Sequence, residues 1–174
     1  MFKVKERSMY MNTVAKFEKV SFEQYAKDVE KADEIYENIQ LPQRATKGSA
    51  GYDFYMPYDL TLVPGQTAKI PTGIRAKIAD GWVLCLFPRS GLGFNYRLQL
   101  NNTVGIIDAD YYLSDNEGHI FAKITNDSNE GKTLTLKQGE GFMQGIFMPF
   151  GLAEDDNVQT IRNGGFGSTT KKGE

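Results

Sequence analysis

The sequence has very few of the side chains that form disulfides or bind transition metals. Cys85 is its single cysteine and His119 its single histidine, which excludes a disulfide framework and a Cys/His metal cluster. A Ser-His-Asp hydrolase would have to use His119, but a polar stretch at residues 114–118 precedes it, and we interpret it as a hydrated loop histidine. A single cysteine inside an apolar stretch is typical of the reducing cytoplasm, where we expect this protein to act.

The sequence also lacks long apolar runs and an excess of charge of either sign. No run reaches the roughly 18 apolar residues that favour a membrane helix, and the charged start at residues 1–10 has no apolar stretch behind it, so neither a membrane span nor secretion is predicted. The 20 basic and 22 acidic side chains give a net charge of −2, without the strongly basic footprint of a protein that binds duplex nucleic acid. We therefore expect neither a membrane nor a nucleic acid as partner. The length of 174 residues fits one domain.

Residues 1–40 differ in character from the rest of the chain, because they hold seven basic and eight acidic side chains. Apolar residues recur at helical spacing from Phe22 onward, and Ser21 with Gln24 three residues later is typical of a capping box. The pattern predicts an amphipathic helix over Ser21–Ile39, preceded by a short strand around Val14–Val20. We expect the helix to dock on the body of the protein or on a neighbouring subunit, with binding of a separate partner as the alternative.

From Leu41 onward, short apolar stretches alternate with turn signals. Pro64-Gly65, Pro71-Thr72-Gly73 and Asp80-Gly81 separate these stretches, and residues 82–87 are apolar on both faces. Strands at such intervals are typical of an all-β barrel or sandwich. No alternation of strands and helices follows, which disfavours a doubly wound nucleotide-binding fold.

Five polar segments punctuated by glycine interrupt the strands. They are Ala50–Phe54, Pro88–Gly93, Gly105–Tyr111, Gly139–Gln144 and Arg162–Thr169. In the second segment, glycine allows backbone N–H groups to converge, while serine and arginine supply donors that suit phosphate oxygens. In the last segment, Phe166 is flanked by glycines that cannot pack beside it, which favours stacking on a planar base. Taken alone, each segment would also fit an ordinary turn or a flexible tail.

Asp108 is the candidate general base. It follows the apolar stretch 104–107, and Asp110 comes two residues later, so both carboxylates point the same way if the strand continues. A carboxylate on a partly apolar strand can hold a water molecule and accept its proton. A turn capped by Asp108 is the alternative interpretation.

In this order, the five segments resemble the motifs of the trimeric deoxyuridine triphosphatase (dUTPase) family over Leu41–Thr169, and residues 88–92 and 164–169 are the most distinctive. The resemblance implies a mainly β, dUTPase-like jelly-roll barrel, here with an added N-terminal amphipathic helix. It divides the chain into an N-terminal strand-and-helix extension (1–40), a β domain (41–160) and a flexible C-terminal lid (161–174). It also implies a homotrimer whose active sites are shared between subunits.

The resemblance further implies that dUTP and water react to give dUMP and pyrophosphate by attack at the α-phosphorus, which keeps uracil out of DNA and supplies dUMP for thymidylate synthesis. Asp108 resembles the residue that activates the water. The implied cofactor is Mg²⁺, bound mainly by the triphosphate, with Asp53 acting through water rather than as a direct ligand. The implied substrate contacts are Arg89, Ser90 and Gly91 to phosphate, Asn102 to uracil, Asp108 and Tyr111 to deoxyribose, Gln144 to phosphate and water, and Arg162, Phe166, Gly167, Ser168 and Thr169 from the lid.

The chain departs from the family pattern in two places that matter below. Residues 112–117 look like an insertion after the third motif, and Gly141 stands where a basic residue is frequent. Two other functions remain open at this point. A deoxycytidine triphosphate deaminase would keep the fold but typically carries Arg-Ser-Ser where this chain has Arg89-Ser90-Gly91. A nucleotide-sensing regulatory protein would use the added helix or the insertion to bind its partner.

Overall fold

The computed structural model describes residues 13–160, which form twelve strands and several short helices in this range. The strands are β1 (Ala15–Lys19), β2 (Gln43–Arg44), β3 (Tyr52–Tyr55), β4 (Leu60–Leu62), β5 (Thr67–Pro71), β6 (Ile74–Ile78), β7 (Trp82–Pro88), β8 (Leu98–Leu100), β9 (Gly105–Ile107), β10 (Phe121–Asn126), β11 (Leu134–Leu136) and β12 (Gly141–Pro149). The helices are α1 (Phe22–Ala26), α2 (Ala32–Ile35) and α3 (Ser90–Tyr96), with 3-10 turns at Tyr36–Asn38 and Ala109–Leu113.

The strands pair in antiparallel fashion in four sheets. The largest sheet has the order β2-β3-β12-β7-β9, a second has the order β5-β10-β8, and β1-β6 and β11-β4 form two-stranded pairs. The predicted turns at Gly65 and Gly81 are present, and both glycines adopt positive φ angles of 82° and 77°, which glycine reaches without a Cβ clash. The mainly β architecture predicted from the turn spacing is confirmed.

The core lies between the sheets and is built by alternate residues of the strands. Phe54, Ile70, Leu84, Ile124 and Phe142 are each at most 1% exposed. Strand β7 was predicted to be apolar on both faces, and the structure agrees, because the consecutive residues 84–86 are all buried. Among the described residues, no helix combines the length and the apolar content required to cross a membrane.

The N-terminal strand is confirmed as β1, but the prediction of one helix over Ser21–Ile39 is wrong. The segment breaks between α1 and α2 at residues 27–31. Tyr25 and Ile39 explain the break, because a Cβ placed on Gly73 would lie 3.3 Å from Tyr25 and 2.4 Å from Ile39. In a straight helix these two side chains would be separated by about 21 Å. The segment therefore folds back so that both side chains dock on the same point of the body.

The interpretation of His119 as a hydrated loop residue is also wrong, because its side chain is fully buried. Its Nε2 accepts a hydrogen bond from the Gly73 backbone N–H at 2.9 Å, and its Nδ1 lies 2.9 Å from Asp28 Oδ2. Since Nε2 is an acceptor, the ring proton sits on Nδ1 and is donated to Asp28. The polar residues before His119 gave a misleading signal, because Glu117 binds Ser21 and the chain then returns into the core at His119.

Candidate functional site

Three adjacent strands bring three of the five sequence segments together. Gln144 on β12 lies opposite Asp53 on β3, and on its other side opposite Phe87 on β7, two residues before Arg89. Because cross-strand neighbours in a sheet are held about 5 Å apart, this register alone collects the three polar side chains at one end of the sheet. They border a cleft of about 370 Å³ lined by Ala45, Ser49, Ala50, Gly51, Asp53, Arg89, Ser90, Gln144 and Ile146.

Arg89 is held in this cleft by two contacts. Its Nε lies 3.3 Å from Asp53 Oδ1, and its Nη1 donates to the Gly141 carbonyl at 3.2 Å. The Arg89 side chain remains 44% exposed, so the guanidinium keeps donors that face the cleft. These two contacts orient the Arg89 guanidinium. Its remaining N–H donors are available to an anionic ligand.

Two glycines make room for the polar side chains of the cleft. A Cβ on Gly51 would lie 2.5 Å from Gln144 Oε1, and a Cβ on Gly141 would lie 2.7 Å from Arg89 Nη1. A side chain at either position would displace one of these groups. Gly141 departs from the family pattern, and its lack of a side chain leaves the space that the Arg89 side chain occupies.

Arg89 also starts helix α3, and a second opening lies along that helix. The backbone N–H groups of Leu92 and Gly93 donate to the Arg89 carbonyl, which places Ser90 and Gly91 in the first turn. The second cleft, of about 570 Å³, is lined by Arg89, Ser90, Gly91, Leu92, Asn95, Tyr96, Leu134, Thr135, Leu136, Glu140 and Gly141. Arg89 and Ser90 thus line both clefts.

Asp108 lies far from this cleft within the same chain. Strand β9 runs antiparallel to β7 with Gly105 opposite Leu86 and Ile107 opposite Leu84, so Asp108 continues away from Arg89. By this register, Asp108 lies beside the residue of β7 that is six positions before Arg89, and six residues of strand span about 20 Å. Burial raises the pKa of the Cys85 thiol, and the charge of Asp108 raises it further. One copy of the chain therefore does not bring Asp108 to Arg89.

The strand that precedes Asp108 does not continue through Asp110, as it would have to if the two carboxylates were to lie on one face. Strand β9 ends at Ile107, and residues 109–113 form a 3-10 turn in which the Tyr111 N–H donates to the Asp108 carbonyl. The condition under which Asp108 and Asp110 were expected to point the same way, a continued strand, is therefore not met. Tyr111 is only 5% exposed, and its hydroxyl donates to the His119 carbonyl at 2.8 Å and accepts from Asn116 Nδ2 at 2.9 Å.

Asn102 lies in the exposed turn between β8 and β9. The next residue, Thr103, has a positive φ of 66°, which is strained for a β-branched side chain. The Thr103 N–H donates to the Leu100 carbonyl and the Val104 N–H to the Asn102 carbonyl, so the turn is tightly closed. Strained backbone of this kind is often found at functional sites, and the role of Asn102 stays a prediction.

Five predicted lid residues fall outside the described residues: Arg162, Phe166, Gly167, Ser168 and Thr169. Three residues that line the first cleft were missed from the sequence: Ala45, Ser49 and Ile146. Ser49 lies in a turn in which Arg44 Nη1 donates to the Lys47 and Ser49 carbonyls, and the Lys-Gly-Ser stretch at 47–49 was the available turn signal. Ala45 carried no signal. Within residues 13–160, no group of three His, Cys, Asp or Glu side chains is arranged to hold a metal ion.

Comparison with known proteins shows which family this chain resembles. A family model described as dUTPase matches residues 37–170. The deoxyuridine 5'-triphosphate nucleotidohydrolase of Lactococcus lactis subsp. lactis is 42% identical over 134 residues, which is 75% of this chain and 88% of the relative. The crystal structure of dUTPase from Streptococcus mutans has a TM-score of 0.63 and 39% identity, over 79% of this chain and 98% of that chain.

A more distant structure extends the likeness in fold. A variant dUTPase from phage phi11 of S. aureus, described with a structural Mg(II) ion, has a TM-score of 0.62 and 23% identity, over 86% of this chain and 98% of that chain.

Proposed function

The chain belongs to the dUTPase family, and on this premise we propose that it hydrolyses dUTP to dUMP and pyrophosphate, keeping uracil out of DNA and supplying dUMP for thymidylate synthesis. The observation that carries the proposal is the cleft in which Arg89, Ser90 and Gln144 meet at one end of three paired strands. An oriented arginine beside a serine hydroxyl and an amide suits the oxygens of a triphosphate chain.

A complete site on this proposal requires more than one copy of the chain. Asp108 is about 20 Å from Arg89 within the chain by strand register, so the general base and the phosphate cleft must come from different subunits. We therefore propose the homotrimer with shared active sites, in which the Arg89 cleft of one subunit faces Asp108 and Tyr111 of a neighbour. Residues 161–174 act as the flexible lid, with Phe166 over uracil and Arg162, Gly167, Ser168 and Thr169 over the distal phosphates.

Within this site the chain's own residues position the substrate and move one proton. Asp108 accepts a proton from water as the water oxygen attacks the α-phosphorus, and pyrophosphate leaves in line. Arg89, Ser90 and Gly91 hold the phosphates, with Gln144 beside them. Asn102 reads the uracil edge, and Tyr111 packs under the deoxyribose, where no space is left for a 2′-hydroxyl. Positioning and charge stabilisation provide most of the rate in such chemistry.

The residues of the cleft fit Mg²⁺ held mainly by the substrate. Asp53 is a single carboxylate already paired with Arg89, and the described residues hold no cluster of three acidic or imidazole ligands. Mg²⁺ keeps several waters and is often bound by one or two carboxylates together with substrate phosphates, so Asp53 would act through one of those waters. When bound, the ion neutralises charge on the triphosphate. We place the activity in the cytoplasm.

The test is pyrophosphate release in the presence of Mg²⁺ from dUTP, dTTP, dCTP and UTP, with the natural chain and Asp108→Asn. We expect hydrolysis of dUTP alone, and a loss of about 1,000-fold or more in Asp108→Asn, because the amide cannot accept the proton of the water. Absence of dUTP hydrolysis by a folded, nucleotide-binding trimer would contradict the proposal and favour a nucleotide sensor. Release of ammonia from dCTP would favour the deaminase.

A further inference from the structure

Residues 14–36 precede the range that the dUTPase family model matches, yet they pack as part of the folded body. Strand β1 pairs along its whole length with β6, and Val20, Tyr25 and Ala32 are at most 4% exposed. We call residues 14–39 the N-terminal segment, and residues 112–119, which contain the insertion, the anchor loop. These two parts of the chain contact one another at three separate points.

The first contact joins Ser21 to Glu117. The Ser21 N–H donates to Glu117 Oε2 at 2.8 Å, and the Ser21 hydroxyl donates to Glu117 Oε1 at 2.6 Å. Both carboxylate oxygens of Glu117 are thus used by one residue that lies 96 positions away in the chain. Glu117 itself has a positive φ of 57°, a conformation that is unfavourable for a residue with a Cβ, so the loop conformation depends on compensating contacts.

The second contact joins Glu18 to Tyr112 and includes Arg75 of β6. The Tyr112 hydroxyl donates to Glu18 Oε2 at 2.6 Å. The Arg75 guanidinium lies 3.7 Å from the centre of the Tyr112 ring, and its Nη2 donates to the Tyr112 carbonyl at 2.9 Å. Arg75 Nη1 also lies 3.6 Å from Glu117 Oε2, so it connects this contact to the first.

The third contact joins Asp28 to the buried His119 ring, and the Asp28 side chain remains 25% exposed. Asp28 also accepts from Gln24 Nε2 at 3.2 Å, which fixes the carboxylate toward the His119 ring. The carbonyl of His119 in turn accepts the Tyr111 hydroxyl. A Cβ on Gly118 would lie 2.7 Å from Tyr112 Cα and 2.8 Å from the Tyr111 carbonyl, so the returning backbone packs directly on Tyr111 and Tyr112.

We infer that Glu18, Ser21 and Asp28 are positioning residues, which hold the anchor loop and through it set the places of Asp108 and Tyr111. The inference rests on the proposed function, because it concerns the residues assigned there to water activation and to the deoxyribose. The described contacts give it a physical basis: the 3-10 turn after Asp108 belongs to no sheet, and its position is set by side chains. A looser turn leaves the reacting groups misplaced, and a displacement near 1 Å can cost about 100-fold in rate.

The experiment compares the full natural chain with the double variant Tyr112→Phe/Glu117→Gln and with the control Tyr36→Phe. The double variant removes the Glu18 bond and the charged partner of Ser21 while it keeps the Tyr112 ring over Arg75. The control removes one hydrogen bond, from Tyr36 to the Val20 carbonyl at 2.6 Å, which joins two residues of the N-terminal segment itself. Three quantities are measured: the unfolding midpoint, amide hydrogen exchange over residues 108–119, and kcat/KM for dUTP and for UTP.

We expect the double variant to lose about tenfold in kcat/KM for dUTP and to lower the ratio of dUTP to UTP by about threefold or more, with faster exchange in the anchor loop. The ratio is the deciding quantity, because loss of folded protein lowers both activities equally and leaves it unchanged. The control should lower the midpoint and keep the natural ratio.

The inference would be overturned if the double variant kept both the natural dUTP-to-UTP ratio of kcat/KM and the natural hydrogen exchange. It would also be overturned if the control changed that ratio as much as the double variant does. If the double variant does not fold, the single variant Tyr112→Phe is used with the same criteria. If the natural chain fails to hydrolyse dUTP, the proposed function fails, and hydrogen exchange alone then decides whether the anchor loop is held as inferred.

Discussion

The cleft around Arg89 and the loop after Asp108 are built by different means. In the cleft, Asp53 and Gln144 occupy paired positions of β3 and β12, and Arg89 follows the end of β7, so backbone hydrogen bonds set the geometry. In the loop, the turn after Asp108 belongs to no sheet and is held by side chains from a segment 91 to 96 positions away. A site placed by strand register tolerates side-chain changes around it, whereas a site placed by side-chain contacts depends on each of them.

The largest effect that tests this comparison is expected from Arg89→Lys. Lysine keeps the charge but lacks the planar fork that can bind Asp53 and phosphate together, so we expect kcat/KM for dUTP to fall by about 100- to 1,000-fold. The unfolding midpoint should barely move, because strand register holds the cleft. The measurement is pyrophosphate release together with thermal unfolding.

The matched control is Arg97→Lys at the other end of α3. Arg97 donates to Asp127 Oδ2 through Nε and Nη2 at 3.2 and 3.1 Å and lies outside the cleft. We expect this variant to keep activity within about twofold, since exposed ion pairs contribute little. If Arg89→Lys also kept its activity, the assignment of the cleft to phosphate binding would be wrong.

The next effect concerns the docking of the N-terminal segment, and it is expected from Gly73→Ala. Gly73 has a φ of 73°, and an added Cβ would meet Ile39 Cδ1 at 2.4 Å, so strain and a steric clash combine. We expect a loss of about 2 kcal/mol or more in the free energy of unfolding, measured by urea titration.

Gly81→Ala separates these two causes. Gly81 has a similar φ of 77°, but nothing lies within 4 Å of an added Cβ. We expect a loss of only about 1 kcal/mol, which reflects backbone strain alone. Equal losses in the two variants would show that Ile39 yields easily and that the N-terminal segment is loosely docked.

The smallest effect is expected from pH, through His119. Burial lowers the pKa of the His119 imidazole below its usual value of 6.5, although the neighbouring Asp28 opposes this shift. As the pH falls below 6.5, the unfolded chain binds a proton before the folded one does, so stability declines until the folded pKa is reached. Glu18 and Glu117 have lowered pKa values, because Lys16 and Tyr112 bind the first and Ser21 the second, so their stabilising contributions are lost only at more acidic pH.

We therefore expect urea unfolding of the natural chain to show lower stability at pH 5.5 than at pH 7.5. In His119→Gln this pH dependence should be weaker, because no imidazole remains to be protonated, even though the variant is less stable at pH 7.5. An identical pH dependence in both proteins would mean that proton binding by His119 does not change on unfolding, because the effect of Asp28 on its pKa fully offsets the effect of burial.

The parts of the fold that could be predicted from the sequence are those with a local cause. Strands β5, β6 and β7 and the turns at Gly65 and Gly81 follow from apolar alternation and from glycine at positive φ. The helical spacing over residues 21–39 was a real signal too, since Tyr25, Ala32 and Ile39 are buried, but it did not indicate that Tyr25 and Ile39 meet at one glycine. The spacing was correct and the continuity of the helix was wrong.

For the site, the residue types and the order of the segments were available from the sequence, and these singled out Asp53, Arg89, Ser90 and Gln144, which line the first cleft. The burial of His119 was not available, because its partners Asp28 and Gly73 lie 91 and 46 positions away and leave no trace in its neighbourhood. The pairing of Glu117 with Ser21 could not be predicted for the same reason. Its left-handed backbone and its bond to Ser21 exist only once the two parts of the chain have docked.

The sequence by itself determined the mainly β class, the turns, the five segments and the chemistry that each could perform, because these depend on neighbouring residues. Only the tertiary structure decided which segments meet. Antiparallel pairing of β9 with β7 carries Asp108 about 20 Å from Arg89, and side chains distant in sequence fold the N-terminal segment against the anchor loop. The physical reason is that strand register and long-range side-chain contacts arise from the packing of the whole chain and are encoded in no single stretch of it.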